Sequence, residues 1–309
     1  MAAAVMLIGL VAVTDFAVPD PSVVTVGPED ITRSATDAEN ALDVQARHTH
    51  HPDGEQTMTD AHTNTLSYQI FGMQDSGSPT MFLLHGMGGG HWVWRHQTNA
   101  IAGWRLVAVD LAGHGASSPP APRRAHEHVP SLIRLANALS VERAVWCGHS
   151  LGGAIAMELA LEHPARASAL ILVGAPPEFD VPPERMDLMR HHAAAARTDR
   201  RWLPWSEATA PEVRKAYLSA GPAATPPVVL ADLEALARFK ITGLLPDIAC
   251  PVMVITGVED RYIDAIRLER HYLRSMRYHE IDHAGHLVMW EQPDTTNRLI
   301  TQFLAAVPR

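Results

Sequence analysis

Short apolar runs recur at residues 81–84, 106–109, 144–147, 170–173 and 252–255. Each is rich in Val, Ile and Leu and lacks polar alternation, which is how strands buried on both faces of a parallel sheet read. Helix-period stretches lie between them, at about 125–139, 151–163, 263–274 and 295–305. Strands alternating with helices predict an α/β fold with a doubly wound, mostly parallel sheet and right-handed crossovers. Ahead of these runs, residues 65–71 alternate like a half-buried strand, and residues 72–79 are turn-rich. With 309 residues, the chain can build a core without metal or disulfide support.

The alternation stops between Pro176 and Ala249. Helical patterns there, at about 184–197, 210–220 and 228–239, are broken by Pro204, Pro222, Pro226 and Pro227. The sheet pattern returns at Pro251, so the insertion reads as a helical cap over one edge. The expected organisation is therefore an N-terminal extension at 1–64, a core formed by 65–175 and 250–309, and a cap at 176–249.

Charge and cysteine content narrow the function. The net charge of −9 argues against nucleic acid or an anionic membrane surface as partner. Residues 1–57 hold nine acids against two bases, so −7 of that charge lies there and the body is near neutral. Two cysteines, Cys147 and Cys250, exclude a disulfide framework and a cysteine-rich zinc module. Residues 2–13 are apolar but too short to span a bilayer, and no basic stretch of a secretory signal precedes them. A cytoplasmic protein without stable membrane insertion is expected, as monomer or homodimer. Residues 14–64 show no sustained period and only one aromatic, Phe16, and read as a mobile extension. His48, His50 and His51 read as solvated rather than as metal ligands.

The strongest local motif is Gly148-His149-Ser150-Leu151-Gly152-Gly153, placed between an apolar strand and a helix. In that context a G-x-S-x-G turn holds its serine in a strained conformation with the hydroxyl outward. The following helix N-terminus presents unpaired N–H groups where an oxyanion would form.

Four further motifs accompany it. His85-Gly86-Met87-Gly88-Gly89-Gly90 follows one strand, and Asp110-Leu111-Ala112-Gly113-His114-Gly115-Ala116-Ser117 follows the next. Gly257-Val258-Glu259-Asp260 and Ala284-Gly285-His286, the latter trailed by Glu291-Gln292-Pro293, come later. Together, in this order, they resemble the α/β-hydrolases. The resemblance implies that fold, with a small helical cap inserted after the sixth strand. It also implies Ser150 as nucleophile, His286 as general base and Asp260 as the carboxylate that orients the imidazole. The oxyanion donors are then the backbone N–H groups of Met87 and Leu151. Asp264 and Glu259 are alternative acids, but Asp260 alone occupies the fourth place of G-x-x-D. His283 is an alternative base, but His286 directly follows the glycine. His85, His149, Asp110 and His114 read as shaping their loops, and Cys147 as an inert buried thiol.

A serine at the nucleophile position disfavours the aspartate chemistry of the family's dehalogenases and epoxide hydrolases. No phosphate-binding or dinucleotide fingerprint appears, and no cofactor or metal is expected. Trp202, Trp205, Tyr217 and Phe239 of the cap, with Met87, Trp92 and Trp94, suggest an apolar lining; Trp92, Trp94, Trp202 and Trp205 are the substrate-binding candidates. The expected substrate is a small apolar ester, lactone or thioester. Two other readings remain open: a biosynthetic tailoring enzyme of this fold performing elimination, cyclisation or C–C cleavage, and a non-hydrolytic, receptor-like ligand binder.

Overall fold

The computed structural model of the chain describes residues 47–50, 55–59, 66–75, 77–184, 186–187 and 203–307. Strands β1 (Arg47–His50), β2 (Glu55–Thr59) and β3 (Leu66–Gly72) precede the apolar runs. The runs themselves become β4 (Thr80–Leu84), β5 (Arg105–Val109), β6 (Ala144–His149), β7 (Ala167–Val173) and β8 (Val252–Gly257). The last strand is β9 (Met276–Ile281). They form one sheet in the order β1-β2-β3-β5-β4-β6-β7-β8-β9. From β5 to β9 every pairing is parallel, whereas β3 meets β5, and β2 meets β3, antiparallel.

Both faces of the central strands are covered, which explains their lack of polar alternation. In β4, Phe82 and Leu84 enter one apolar cluster while Met81 and Leu83 enter the other. In β7, Leu170 and Leu172 face the first cluster, and Ala169, Ile171 and Val173 the second. Successive side chains of a strand point to opposite faces, so a central strand must be apolar throughout. On the first face lie α2 (Val129–Ala138) and α3 (Leu151–Glu162); on the second lie α7 (Val288–Glu291) and α8 (Pro293–Leu304), with α1 (Arg95–Thr98) beside α8.

Two parts of the sheet depart from expectation. Residues 47–50 and 55–59, expected within a mobile extension, are strands: Met58 pairs with Leu66, extending the antiparallel edge. The rest of 1–64 lies outside the described residues. At the other edge, β9 carries Arg277, His279 and Glu280, polar and charged side chains that suit an edge strand and break any apolar run.

The chain leaves the sheet after β7, one strand later than the resemblance implies, because the strands β1 and β2 both precede β3. The stretch that follows holds α4 (Pro211–Leu218), α5 (Pro226–Arg238) and a 3₁₀ turn at Thr242–Asp247. A proline opens each helix, where its missing N–H costs nothing. These helices match the patterns read at 210–220 and 228–239; the pattern at 184–197 lies for the most part outside the described residues. No described helix is long and apolar enough to cross a membrane. After the return through β8 comes α6 (Ile263–Tyr272).

The strand order creates a crevice. From β4 the chain moves to β5 on one side and then crosses back to β6 on the other. In open α/β sheets such a reversal leaves a gap at the carboxyl ends of the two central strands, where ligands bind. Leu84 pairs with Gly148, so the loop after β4 and the turn after β6 emerge side by side.

Candidate active site

Ser150 is the turn between β6 and α3, with φ +52° and ψ −115°. A side chain in that region costs about 1–3 kcal/mol and persists only where its surroundings enforce it. Enforcement comes from both sides. The Ser150 N–H donates to the Val173 carbonyl at 3.0 Å, and its own carbonyl accepts from Gly153 and Ala154. Gly152 lets α3 approach β4 closely: a Cβ there would sit 2.2 Å from the Leu84 carbonyl oxygen. The Ser150 hydroxyl has no hydrogen-bond partner among the described residues.

His286 reaches the same pocket from the loop after β9, and both side chains form its wall. Its Nδ1–H donates to Asp260 Oδ2 at 2.9 Å. Asp260 is buried, with Oδ1 accepting from the Tyr262 N–H at 2.9 Å and Oδ2 facing the Thr256 hydroxyl at 3.4 Å. The alternatives lie elsewhere. Asp264 is exposed beside Arg267, Glu259 is exposed and accepts from the Glu207 N–H, and His283 is exposed. With Nδ1 bound to Asp260, the imidazole turns Nε2 to the pocket, available as a base.

The loop after β4 lines the same pocket through Gly86 and Met87. His85 donates from Nδ1 to the Gly86 carbonyl at 2.8 Å and accepts at Nε2 from the Leu111 N–H at 3.0 Å. One donating and one accepting nitrogen define a neutral ring. Full burial, helped by nearby His114, pushes its pKa down to about 3 and keeps it neutral. The Gly86 carbonyl also accepts from the Gly89 N–H at 3.1 Å. In a trans peptide the next N–H points opposite its carbonyl, so anchoring Gly86 O aims the Met87 N–H the other way. Among the described residues, neither the Met87 N–H nor the Leu151 N–H has an acceptor. Free N–H groups at a helix start and an adjoining loop suit a developing negative charge.

Other flagged residues brace this frame. His149 donates from Nε2 to the His286 carbonyl at 3.0 Å, tying the serine turn to the histidine loop. Burial and the adjacent His286 hold its pKa well below the usual histidine range. Asp110 accepts from the His91 N–H at 2.7 Å and from its ring at 3.0 Å. Burial alone would raise the Asp110 pKa, but these bonds outweigh it and lower it. Burial pushes the Cys147 thiol up, which keeps it unreactive.

The tryptophan candidates need correction. Trp92 and Trp94 are buried in the second core cluster and do not line the pocket. The turn His91–Trp94 directs them inward, where Trp92 packs edge-on against Tyr217 with ring centres 5.1 Å apart. Trp205 stands behind Tyr217 at 5.4 Å and supports the wall without forming it; Phe239 is core, against Phe179. Trp202 lies outside the described residues. The wall is made instead by Met87, Leu203, Tyr217, Leu236 and Tyr262, with exposed Arg261 beside them. The space left between these side chains is small, about 20 Å³, roughly what one water needs. Among the described residues no cluster of His, Cys, Asp or Glu is arranged to hold a metal.

Comparison with known proteins agrees with this architecture. Residues 79–293 match the profile of the alpha/beta hydrolase fold family. A pimeloyl-[acyl-carrier protein] methyl ester esterase of Photorhabdus laumondii is 30% identical over 249 residues, covering 74% of this chain and 93% of that protein. The crystal structure of an enol-lactonase from Burkholderia xenovorans superposes with TM-score 0.71 at 22% identity, covering 78% of this chain and 97% of that one. A thermophilic esterase from Thermogutta terrifontis gives TM-score 0.67 at 24% identity, covering 84% and 98%.

Proposed function

We propose that this chain, which belongs to the α/β-hydrolase fold family, is a serine hydrolase cleaving a small apolar carboxylic ester, lactone or thioester. The observation that carries the reading is the convergence on one pocket of Ser150 in its strained turn and His286 bound to buried Asp260. The names of relatives, an acyl methyl ester esterase and an enol-lactonase among them, support ester or lactone chemistry.

In this reading Ser150 Oγ attacks the carbonyl carbon while His286 Nε2 takes its proton. The hydroxyl, free of other partners, rotates about χ1 to meet the imidazole, a bond that often tightens only with substrate in place. Asp260 holds the Nδ1–H tautomer and stabilises the imidazolium that forms. The carbonyl oxygen becomes an oxyanion that accepts from the Met87 and Leu151 N–H groups. Collapse expels the alcohol or thiol, which takes the proton from His286. Water, activated by the same imidazole, then hydrolyses the acyl-enzyme. Tyr217, Leu236, Leu203 and Met87 favour a short apolar acyl or alcohol group over a charged one.

The test is turnover of a panel of p-nitrophenyl esters of increasing acyl length, together with lactones and thioesters. Hydrolysis is expected, falling with long chains and dropping on the order of 10⁶-fold in kcat in Ser150→Ala. In ¹⁸O-water the label should appear in the released acid. Undiminished turnover in the alanine variant, or a product formed without uptake of water oxygen, would reject the reading.

A further inference from the structure

The loop that aims the Met87 N–H is held at two points, and only one belongs to the core. At Gly86 the anchor is His85, fixed in turn by Leu111 beyond β5. At Gly88 the N–H donates to Asp232 Oδ2 at 2.9 Å. Asp232 sits on α5, a helix of the cap insertion, 144 residues further along the chain. Gly88 has φ +67°, so the loop turns sharply at the residue Asp232 grips.

Asp232 is itself fully buried and firmly placed. Its Oδ2 also accepts from His114 Nε2 at 2.9 Å, with both side chains inaccessible to solvent. His114 Nδ1 faces the Ala112 carbonyl at 3.3 Å. Carbonyl and carboxylate both only accept, so both ring nitrogens donate and the ring is an imidazolium. The Asp232 charge and hydrogen bond outweigh burial and raise the His114 pKa, in keeping with that state. Val228 and Val229 of the same helix pack with Met87 as a small apolar cluster. Asp232 therefore reaches the loop as part of a seated helix face. An isolated buried carboxylate would be costly; this one is held by a cation and a backbone donor.

We infer that Asp232 is a positioning residue of the cap that sets the oxyanion donor, through the Gly88 N–H, so that seating α5 completes the oxyanion site. The inference rests on the hydrolase reading for its catalytic consequence, and on geometry alone for the pinning of the loop. Asp232 touches no reacting atom. It fixes the Met87–Gly88 peptide while His85 fixes the Gly86–Met87 peptide, and Met87 is held between them.

The experiment compares wild type, Asp232→Asn and Asp232→Ala, with folded active sites counted by phosphonate titration. Removing an oxyanion donor outright typically costs 10²–10³-fold, so loosening one is expected to cost about 10- to 10²-fold in kcat in the alanine variant. KM for p-nitrophenyl acetate should change little. Asparagine keeps an acceptor for Gly88 but removes the charge facing His114, so it is expected to restore kcat per folded site more fully than thermal stability. A trifluoromethyl ketone, bound as its hemiketal oxyanion, should lose affinity by the same factor as kcat, whereas the corresponding methyl ketone should not. Backbone hydrogen exchange over residues 85–91 should rise in Asp232→Ala. A merely structural carboxylate would lower the melting temperature while leaving kcat per folded site and the inhibitor ratio unchanged, and that result overturns the inference. Absence of esterase turnover in wild type would overturn the hydrolase reading alone. The exchange comparison would then decide the pin, with unchanged exchange refuting it.

Discussion

Gly152→Ala tests how closely fold and chemistry are coupled at the serine turn. A Cβ at this position would lie 2.2 Å from Leu84 O, 2.6 Å from Leu84 C and 2.7 Å from His85 O. Every one of these is backbone, so no side chain can rotate aside. A comfortable C···O contact is about 3.3 Å, so the start of α3 and the end of β4 must part by roughly 1 Å. Overpacking of this kind costs about 1–3 kcal/mol, and the rigid neighbours place the variant at the upper end. For a chain of this size that lowers Tm by about 5–10 °C. The same shift separates Leu151, the residue before Gly152, from the loop that begins at His85, and so spreads the two proposed oxyanion donors. A misplacement of about 1 Å can cost on the order of 10²-fold in rate. The assay pairs thermal unfolding with kcat per titrated site, well below the melting point. A Tm within about 1 °C of wild type and unchanged kcat would refute the reasoning, because the backbone would then have absorbed the methyl group freely.

Two stability predictions follow from buried ionisable groups. His128 is buried, both of its ring nitrogens lack a partner among the described residues, and burial pushes its pKa down to about 4. The unfolded chain then binds a proton that the folded one refuses, so stability falls as pH drops from about 6.5 to 4, by about 1.4 kcal/mol per pH unit for this group. In urea unfolding, His128→Leu should flatten that acid slope; an equally steep slope in the variant contradicts the assignment. Glu269 is fully buried, neither carboxylate oxygen is hydrogen-bonded among the described residues, and burial raises its pKa well above the usual range. Here the folded state holds the proton longer, so stability is lost as pH rises above the ordinary carboxylate value. Glu269→Leu is expected to stabilise the protein by about 1–3 kcal/mol, more at pH 8 than at pH 5. Equal gains at both pH values would show that Glu269 ionises normally.

What the sequence disclosed depended on how local the cause was. Strands β4 to β8 were legible because two-sided burial demands an unbroken apolar run, and α3 because the Gly-rich turn announces its start. Ser150 is legible from its turn between an apolar strand and a helix, whereas Asp260 and His286 are legible through the order of motifs that resembles the α/β-hydrolases. β9 was not legible: as an edge strand it carries Arg277, His279 and Glu280 in place of an apolar run. Strands β1 and β2 are a polar hairpin whose pairing shows only when β3 is beside them. The tryptophans misled because aromatic residues near a catalytic loop serve core and pocket equally well. Which of them faces ligand depends on the turn at His91–Trp94, which buries Trp92 and Trp94 and leaves Tyr217 at the surface of the cavity. Nothing local in the sequence singles out Asp232; only the fold brings it to Gly88 and His114.

The proposed chemistry stands on Ser150 as the nucleophile and His286 as its base. Mass spectrometry of the protein after treatment with a fluorophosphonate examines it most directly. A single phosphonyl adduct is predicted, mapped to the peptide containing Ser150, absent in Ser150→Ala and formed far more slowly in His286→Ala. An adduct on another residue, or labelling that proceeds unchanged without Ser150, would contradict it.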